Sequence, residues 1–267
     1  WEARSDFLER NMGLLHDWVI ERIDVSSGQI VLDVGAGPGD LGHRIAPLVG
    51  PTGRVISTDF AVEMVEIAER LGDARGLDNV VYRQLDAEQM ILDDASVDAV
   101  VCRSGYMLFA DPAIAFGEAR RVLRDGGSLA FTVFTTPEQN PWAAVPGAAL
   151  VGRGHLPPPQ PGAPGVFALG DPDRVRDLIT SAGFSDPEIE AVDFVFHYAG
   201  DDDAWNAVVD LNAPLSVIIE QLSDNELTAT RDEVVDRFGE DRNPDGSYPV
   251  PAQALAVHAT KPSALRP

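Results

Sequence analysis

The stretch VLDVGAGPGD at residues 31–40 constrains the fold more than any other part of this sequence. A run of strand-forming residues leads directly into three glycines, Gly35, Gly37 and Gly39, which indicates a buried strand followed by a tight turn into a helix. Backbone N–H groups at such a turn can approach a ligand closely, because glycine has no side chain in the way. The dinucleotide fingerprint G-x-G-x-x-G places its third glycine one residue later. The spacing therefore disfavours a dinucleotide.

Strand patterns and helix patterns alternate after this turn. Apolar, β-rich runs follow the first strand at residues 53–59, 79–88, 97–104 and 128–134, with helical patterns between most of them. Later runs at 188–198 and 254–261 predict two more strands. This alternation predicts an α/β fold with a doubly wound, mostly parallel seven-stranded sheet and helices on both of its faces.

Other segments are expected to surround a cofactor-binding core at residues 28–134. Residues 1–27 predict an N-terminal cap of one or two amphipathic helices, and 199–245 predict a late helical insertion on the substrate side. Proline and glycine are dense between 135 and 170, which predicts a long irregular loop or lid. Since no clear linker interrupts the pattern, we expect a single domain over residues 1–267.

Charge and composition narrow the choice of partners. The chain has 267 residues and a formal net charge of −23, and a negative field of this size repels nucleic acid and anionic lipid. No apolar run is long enough to span a membrane, and the first residues do not resemble a signal peptide, so we expect a cytoplasmic location. Cys102 is the only cysteine and the five histidines are scattered, so we predict no metal site. A homodimer through the insertions stays open.

Four blocks together resemble the class I S-adenosyl-L-methionine-dependent methyltransferases, in particular the branch with the ubiquinone and menaquinone C-methyltransferases. In sequence order they are VLDVGAGPGD, VISTDFAVEMVEIA, QLDAEQMILDDASVDAVVC and AFGEARRVLRDGGSLAFTVF. The resemblance implies a Rossmann-like fold, S-adenosylmethionine as cofactor, S-adenosylhomocysteine as product and methylation of a small molecule. Pro38 stands where this branch usually has threonine, and residues 137–250 match no quinone-specific sequence.

The resemblance also implies which residues contact the cofactor. The turn formed by Gly35, Ala36, Gly37 and Gly39 would bind its amino-acid carboxylate, and Asp59 would bind the ribose hydroxyls, although it can also cap the helix that follows. The remaining candidates would contact the two faces of adenine, the edge of adenine, and the space between cofactor and acceptor; they are Phe60, Met64, Asp86, Ala87 and Arg103. Phe60 and Met64 are equally explained as core residues.

Methyl transfer needs little acid–base chemistry unless the acceptor must lose a proton. Candidate bases are His155, His197 and Tyr106, which are also explained as a solvated loop residue, a sheet-edge residue and a pocket wall. An apolar acceptor pocket is predicted from four aromatic residues in the variable parts of the chain, Trp142, Phe167, Trp205 and Tyr198.

We therefore predict transfer of a methyl group to oxygen or carbon of a small, fairly apolar organic acceptor. Two alternatives of other classes stay open. One is a nicotinamide-dependent oxidoreductase, which the early third glycine disfavours. The other is a non-catalytic cofactor-binding domain that serves as an interaction module.

Overall fold

The computed structural model describes residues 4–160, 162–239 and 242–263. The chain folds into two compact units. We call one the core unit, made of Gly13–Phe134, Pro164–Val192 and Ala254–Pro267, and the other the insert unit, made of Trp1–Met12, Thr135–Ala163 and Asp193–Gln253. Most of both predicted insertions therefore lies in the insert unit, while the single domain over the whole chain stays a prediction.

Seven strands form one sheet. They are β1 (Ile30–Val34), β2 (Arg54–Asp59), β3 (Val80–Gln84), β4 (Val97–Arg103), β5 (Leu123–Phe134), β6 (Glu188–Tyr198) and β7 (Tyr248–Thr260). Their order is β3-β2-β1-β4-β5-β7-β6. The first five strands pair in parallel, and β7 runs antiparallel to β5. This sheet confirms the predicted fold class, and its strand order reverses between β1 and β4.

Nine α-helices connect or flank the strands within the described residues. They are α1 (Ser5–Ile23), α2 (Asp40–Val49), α3 (Val62–Ala74), α4 (Pro112–Val122), α5 (Pro141–Gly152), α6 (Pro172–Ser181), α7 (Asp201–Leu211), α8 (Ala213–Ile219) and α9 (Asp224–Phe238). Local signals explain several of their boundaries. Asp111 accepts hydrogen bonds from two N–H groups in the first turn of α4, and Ser223 forms a capping box with Glu226 at the start of α9.

Apolar side chains from both faces of the sheet form the main core of the core unit. Residues of β1 and β4 are buried in continuous runs, for example Val31, Leu32, Val100 and Val101, each with 0% exposure. This is expected for central parallel strands that helices cover on both sides. Cys102 is also fully buried, and burial raises the pKa of its thiol to about 12. It is therefore a small core residue, as predicted.

The prediction of an irregular loop over 135–170 is wrong for its first half. Pro141–Gly152 forms helix α5, whose proline at the first helical position starts it in the conformation a helix requires. The sequence of α5, PWAAVPGAALVG, contains mostly alanine, valine and leucine, whereas the prolines that suggested a loop cluster after it, at 157–164. Averaging the composition over the whole segment hid the helix.

Strand lengths also differ from the predictions. β3 ends at Gln84 instead of continuing to residue 88, because the chain turns at Asp86. β5 begins at Leu123 and contains the Arg124–Gly127 stretch that was expected to be a turn, with an irregular register opposite β4. Within the described ranges no helix is long and apolar enough to cross a membrane, and no cluster of three or more potential ligands is placed to hold a metal ion.

Candidate functional site

The glycine turn lies between the end of β1 and the start of α2 in the core unit. Gly35, Gly37 and Gly39 have φ values of 62°, 56° and 87°, in the left-handed region that favours glycine. The N–H of Ala36 donates to the carbonyl of Thr58 over 2.8 Å, which fastens the turn to the end of β2. The turn also lies beside the point where the strand order reverses, where open α/β sheets bind their ligands.

The three glycines of the turn have different surroundings. A Cβ atom on Gly39 would lie 2.8 Å from the ring of His43, so this position must stay small for α2 to pack. A Cβ atom on Gly37 would meet no atom of the described residues within 4 Å. Gly39 is therefore required by packing inside the unit, whereas Gly37 borders free space in front of the turn.

Asp59, the last residue of β2, connects the turn to α3. Its Oδ2 accepts a hydrogen bond from the N–H of Gly37 over 2.9 Å, and its Oδ1 accepts one from the N–H of Ala61 over 3.0 Å. A carboxylate oxygen can accept more than one hydrogen bond, so both oxygens retain capacity for a ligand hydroxyl. The two roles considered for Asp59, at the start of a helix and beside a ligand, are therefore compatible.

The predicted adenine contacts lie at the ends of β2 and β3. Phe60 is 72% exposed, so its ring does not belong to the core. Met64 is half-buried in the first turn of α3. Asp86 is exposed and accepts a hydrogen bond from the N–H of Glu88 over 2.9 Å, while Ala87 is buried. An exposed phenylalanine directly after Asp59 offers a ring face to a planar ligand.

Arg103 ends β4 and is half-buried. Its positive charge acts on two buried groups, the carboxyl of Asp33 and the imidazole of His16. Burial, together with Arg103 and Arg44, lowers the pKa of His16 to about 2, so this imidazole stays neutral at physiological pH. Arg103 therefore belongs to a buried polar cluster at the end of β4 and is not a surface arginine.

Asp33 is a residue of this region that the sequence analysis missed. It is fully buried in β1, and its Oδ2 accepts a hydrogen bond from the N–H of Gly42 over 2.9 Å. Its Oδ1 has no hydrogen-bond partner among the described residues. Burial raises its pKa to about 7. The signal was present in the sequence: an acidic residue inside an apolar strand, two positions before the first glycine.

The three candidate bases do not form a group. Tyr106 is fully buried, its ring stacks on Phe116 with centroids 4.2 Å apart, and burial raises its pKa well above the ordinary value. The prediction of a base at this position is corrected, because the hydroxyl is a core group that neither ionises readily nor reaches solvent. His155 lies in the insert unit with its Nε2 3.6 Å from Oε1 of Glu226.

His197 lies on β6 and is exposed, between the buried Phe196 and Tyr198. Successive side chains of a strand point to opposite faces, so His197 points away from the side of β6 on which those two rings pack. Its backbone N–H donates to Oδ1 of Asn11 over 2.8 Å. The structure therefore does not support the predicted base role of His197.

Two of the four aromatic residues predicted to form an acceptor pocket line a cleft in the insert unit. Trp142 and Tyr198 line it together with Phe7 and Phe196, which the sequence analysis did not name. Trp205 is buried in α7 and does not line this cleft. Phe167 belongs to the core unit, so its predicted place in the same pocket is not supported.

Comparison with known proteins gives the same assignment for the first half of the chain. Residues 25–150 match the family described as methyltransferase domain. A ubiquinone/menaquinone biosynthesis C-methyltransferase of Saccharophagus degradans is 35% identical over 122 residues, which is 45% of this chain and 49% of that protein. The chain thus spans about half the length of this curated relative.

Solved structures resemble nearly the whole chain. The YcgJ protein of Bacillus subtilis has a TM-score of 0.63 at 20% identity, covering 94% of this chain and 100% of that one. A SAM-dependent methyltransferase of Aquifex aeolicus has a TM-score of 0.54 at 15% identity, covering 96% and 97%. At these identities the likeness supports the fold. Together with the sequence matches, it shows that this chain contains a class I S-adenosylmethionine-dependent methyltransferase domain of the ubiquinone/menaquinone C-methyltransferase-like branch.

Proposed function

We propose that this protein transfers a methyl group from S-adenosylmethionine to oxygen or carbon of a small, fairly apolar acceptor. The observation that carries the proposal is the pairing of Asp59 with a glycine turn that has free space beside Gly37. This pair lies next to the reversal of strand order, the usual ligand position in such sheets. The early third glycine and the matched family both disfavour the nicotinamide alternative.

The residues around the turn fit this cofactor. The free space at Gly37 accepts an atom group where a side chain would otherwise stand, and the exposed ring of Phe60 offers a face to adenine. In the proposed site, Gly35, Ala36, Gly37 and Gly39 hold the amino-acid end and Asp59 holds the ribose hydroxyls. The remaining residues proposed to contact the adenine or border the acceptor are Phe60, Met64, Asp86, Ala87 and Arg103.

When bound, S-adenosylmethionine supplies a methyl group from a positively charged sulfur, which keeps the electron pair of the broken S–C bond while the acceptor atom releases a proton. The chain contributes mainly by holding and orienting both reactants, and orientation alone can supply much of the acceleration in such displacements. Of the three candidate bases only His155 remains, and its role stays a prediction. An acceptor whose own proton is acidic needs no dedicated base.

The choice of a small molecule as acceptor is supported by the charge of the chain. A net charge of −23 opposes binding to polyanions such as nucleic acid. The cytoplasmic location and the homodimer remain proposals of the same kind, supported by the sequence patterns described above.

Calorimetric titration of the purified protein with S-adenosylhomocysteine, with NAD titrated in parallel, tests the cofactor assignment. We expect micromolar binding of the former and no heat from NAD. Binding of NAD alone would overturn the proposal, and binding of neither would favour an interaction module without catalysis. Incubation with methyl-labelled S-adenosylmethionine and a panel of phenols, hydroquinones and amines then tests transfer, because mass spectrometry locates the label on oxygen, carbon or nitrogen.

A further inference from the structure

A cleft of about 330 Å³ lies within the insert unit. Four aromatic rings form much of its wall. Phe7 of α1 stacks on Phe196 and on Tyr198 of β6, with ring centroids 5.9 Å and 5.5 Å apart, and Trp142 of α5 lies 5.0 Å from Phe196. These residues come from three separate stretches of the chain, so the folding of the unit creates the cleft.

The rest of the cleft is aliphatic, apart from one amide. Pro146 of α5 and Ala207, Val208 and Leu211 of α7 line it, followed by Asn212. None of these nine described lining residues carries a charge. An ionised ligand group would lose its hydration here without gaining a charged partner, which is costly. The cleft therefore favours a neutral ligand.

The polar atoms in the wall have few free positions. The indole N–H of Trp142 already donates to Oδ1 of Asn140 over 3.1 Å. The side chain of Asn212 accepts a hydrogen bond from the N–H of Leu215 over 3.3 Å through its oxygen, which leaves its amide nitrogen as a donor. Burial raises the pKa of the Tyr198 hydroxyl, so this group is neutral and can exchange one hydrogen bond with a ligand.

The size of the cleft limits the ligand further. Ligand pockets range from about 300 to 1,000 Å³, so this one lies at the lower end and fits one or two rings but not a long acyl chain. Aromatic walls also favour aromatic ligands, since ring pairs contribute about 0.5–1.5 kcal/mol beyond the area they bury.

We infer that this cleft binds the ring system of the methyl acceptor, and that the acceptor is a neutral aromatic compound of one or two rings with a hydroxyl group. The inference rests on the proposed methyl transfer for its biological meaning. Binding to the cleft can nevertheless be measured without any transfer.

The test uses three two-ring probes of similar size at pH 7. They are 1-naphthol, which is neutral and aromatic, 1-naphthoate, which is anionic, and decahydro-1-naphthol, which is neutral but not aromatic. Calorimetry on the full chain is expected to give an affinity for 1-naphthol at least about tenfold higher than for either of the others. Equal binding of 1-naphthoate would overturn the neutral preference, and equal binding of decahydro-1-naphthol would overturn the aromatic one.

Variants place the binding in the cleft. Leu211→Trp fills the cleft and is expected to weaken 1-naphthol binding at least about tenfold. Val217→Trp is the matched control, because Val217 is 56% exposed on the neighbouring helix α8 and does not line the cleft. Ala207→Leu is a second, smaller filling variant in case Leu211→Trp fails to fold, as judged by circular dichroism. Unchanged binding in a folded filling variant would overturn the inference.

Titration with S-adenosylhomocysteine separates this inference from the proposed function. If the wild type binds 1-naphthol in the cleft but not S-adenosylhomocysteine, the proposed function fails and the cleft assignment stands. If it binds S-adenosylhomocysteine but none of the three probes, the cofactor assignment stands and the acceptor class inferred here is wrong.

Discussion

The carboxylate of Asp59 accepts a hydrogen bond from the backbone N–H of Gly37 over 2.9 Å. One residue ends β2 and the other lies in the turn after β1, so this bond joins two adjacent strand ends at the proposed ligand position. It holds the carboxylate in place before any ligand arrives. A preorganised carboxylate loses little freedom on binding, which favours affinity for a ligand with two neighbouring hydroxyl groups.

Asp59→Ala is expected to weaken the binding of S-adenosylhomocysteine. Each lost hydrogen bond to a charged group is worth roughly 1.5–3 kcal/mol, or about 10- to 100-fold in affinity. Asp171→Ala is the control, because Asp171 caps α6 in the same way, accepting from the N–H of Asp173 over 3.0 Å. Both variants should lose about 1 kcal/mol of stability. If they bind S-adenosylhomocysteine equally well, Asp59 does not contact the ligand.

Gly37→Val is expected to abolish the binding of S-adenosylhomocysteine while the protein still folds. The new side chain would occupy the free space in front of the turn, at a strain of about 1–2 kcal/mol for a positive φ. Gly76→Val is a matched control: Gly76 has φ 71°, and a Cβ there also meets no described atom within 4 Å, but it follows α3 at its far end. Undiminished binding by a folded Gly37→Val protein would show that the site is misplaced.

Asp33→Asn is expected to change how stability depends on pH. Burial raises the pKa of Asp33 in the folded state to about 7, from 3.8 when unfolded. Between these values the folded state holds more protons than the unfolded one, so the free energy of unfolding falls as pH rises. A shift of this size corresponds to on the order of 4 kcal/mol, all of it lost above pH 7.

Urea unfolding of wild type and Asp33→Asn at pH 5, 6, 7 and 8 measures this difference. The wild type should lose more stability than the variant on going from pH 5 to pH 8, because asparagine cannot ionise. Parallel curves over this range would mean that Asp33 ionises in the folded state as easily as in the unfolded one.

Tyr106→Phe is expected to keep methyl transfer and S-adenosylhomocysteine affinity unchanged. The Tyr106 hydroxyl is buried without a hydrogen-bond partner among the described residues, so its removal should leave stability unchanged or raise it by up to about 1–3 kcal/mol. Thermal unfolding and a labelled-methyl assay measure the two effects. A fall of kcat with unchanged stability would restore the catalytic role that the sequence suggested.

The glycine turn, the order of elements and several helix starts could be predicted because each depends on neighbours in the sequence. The spacing of Gly35, Gly37 and Gly39 requires a particular local backbone, and Asp111 caps the helix that begins at the next residue. The same local logic failed at α5, where clustered prolines after the helix dominated the composition of the whole segment.

The sequence by itself therefore determined the class of sheet, the turn that receives the ligand and the acidic residue beside it. Only the tertiary structure decided that Phe7 meets Phe196 and Tyr198 in one cleft, that Tyr106 is a core residue, and that Asp33 is buried with a raised pKa. The reason is physical: hydrophobic periodicity and capping act over a few residues, whereas burial depends on segments that meet only after folding.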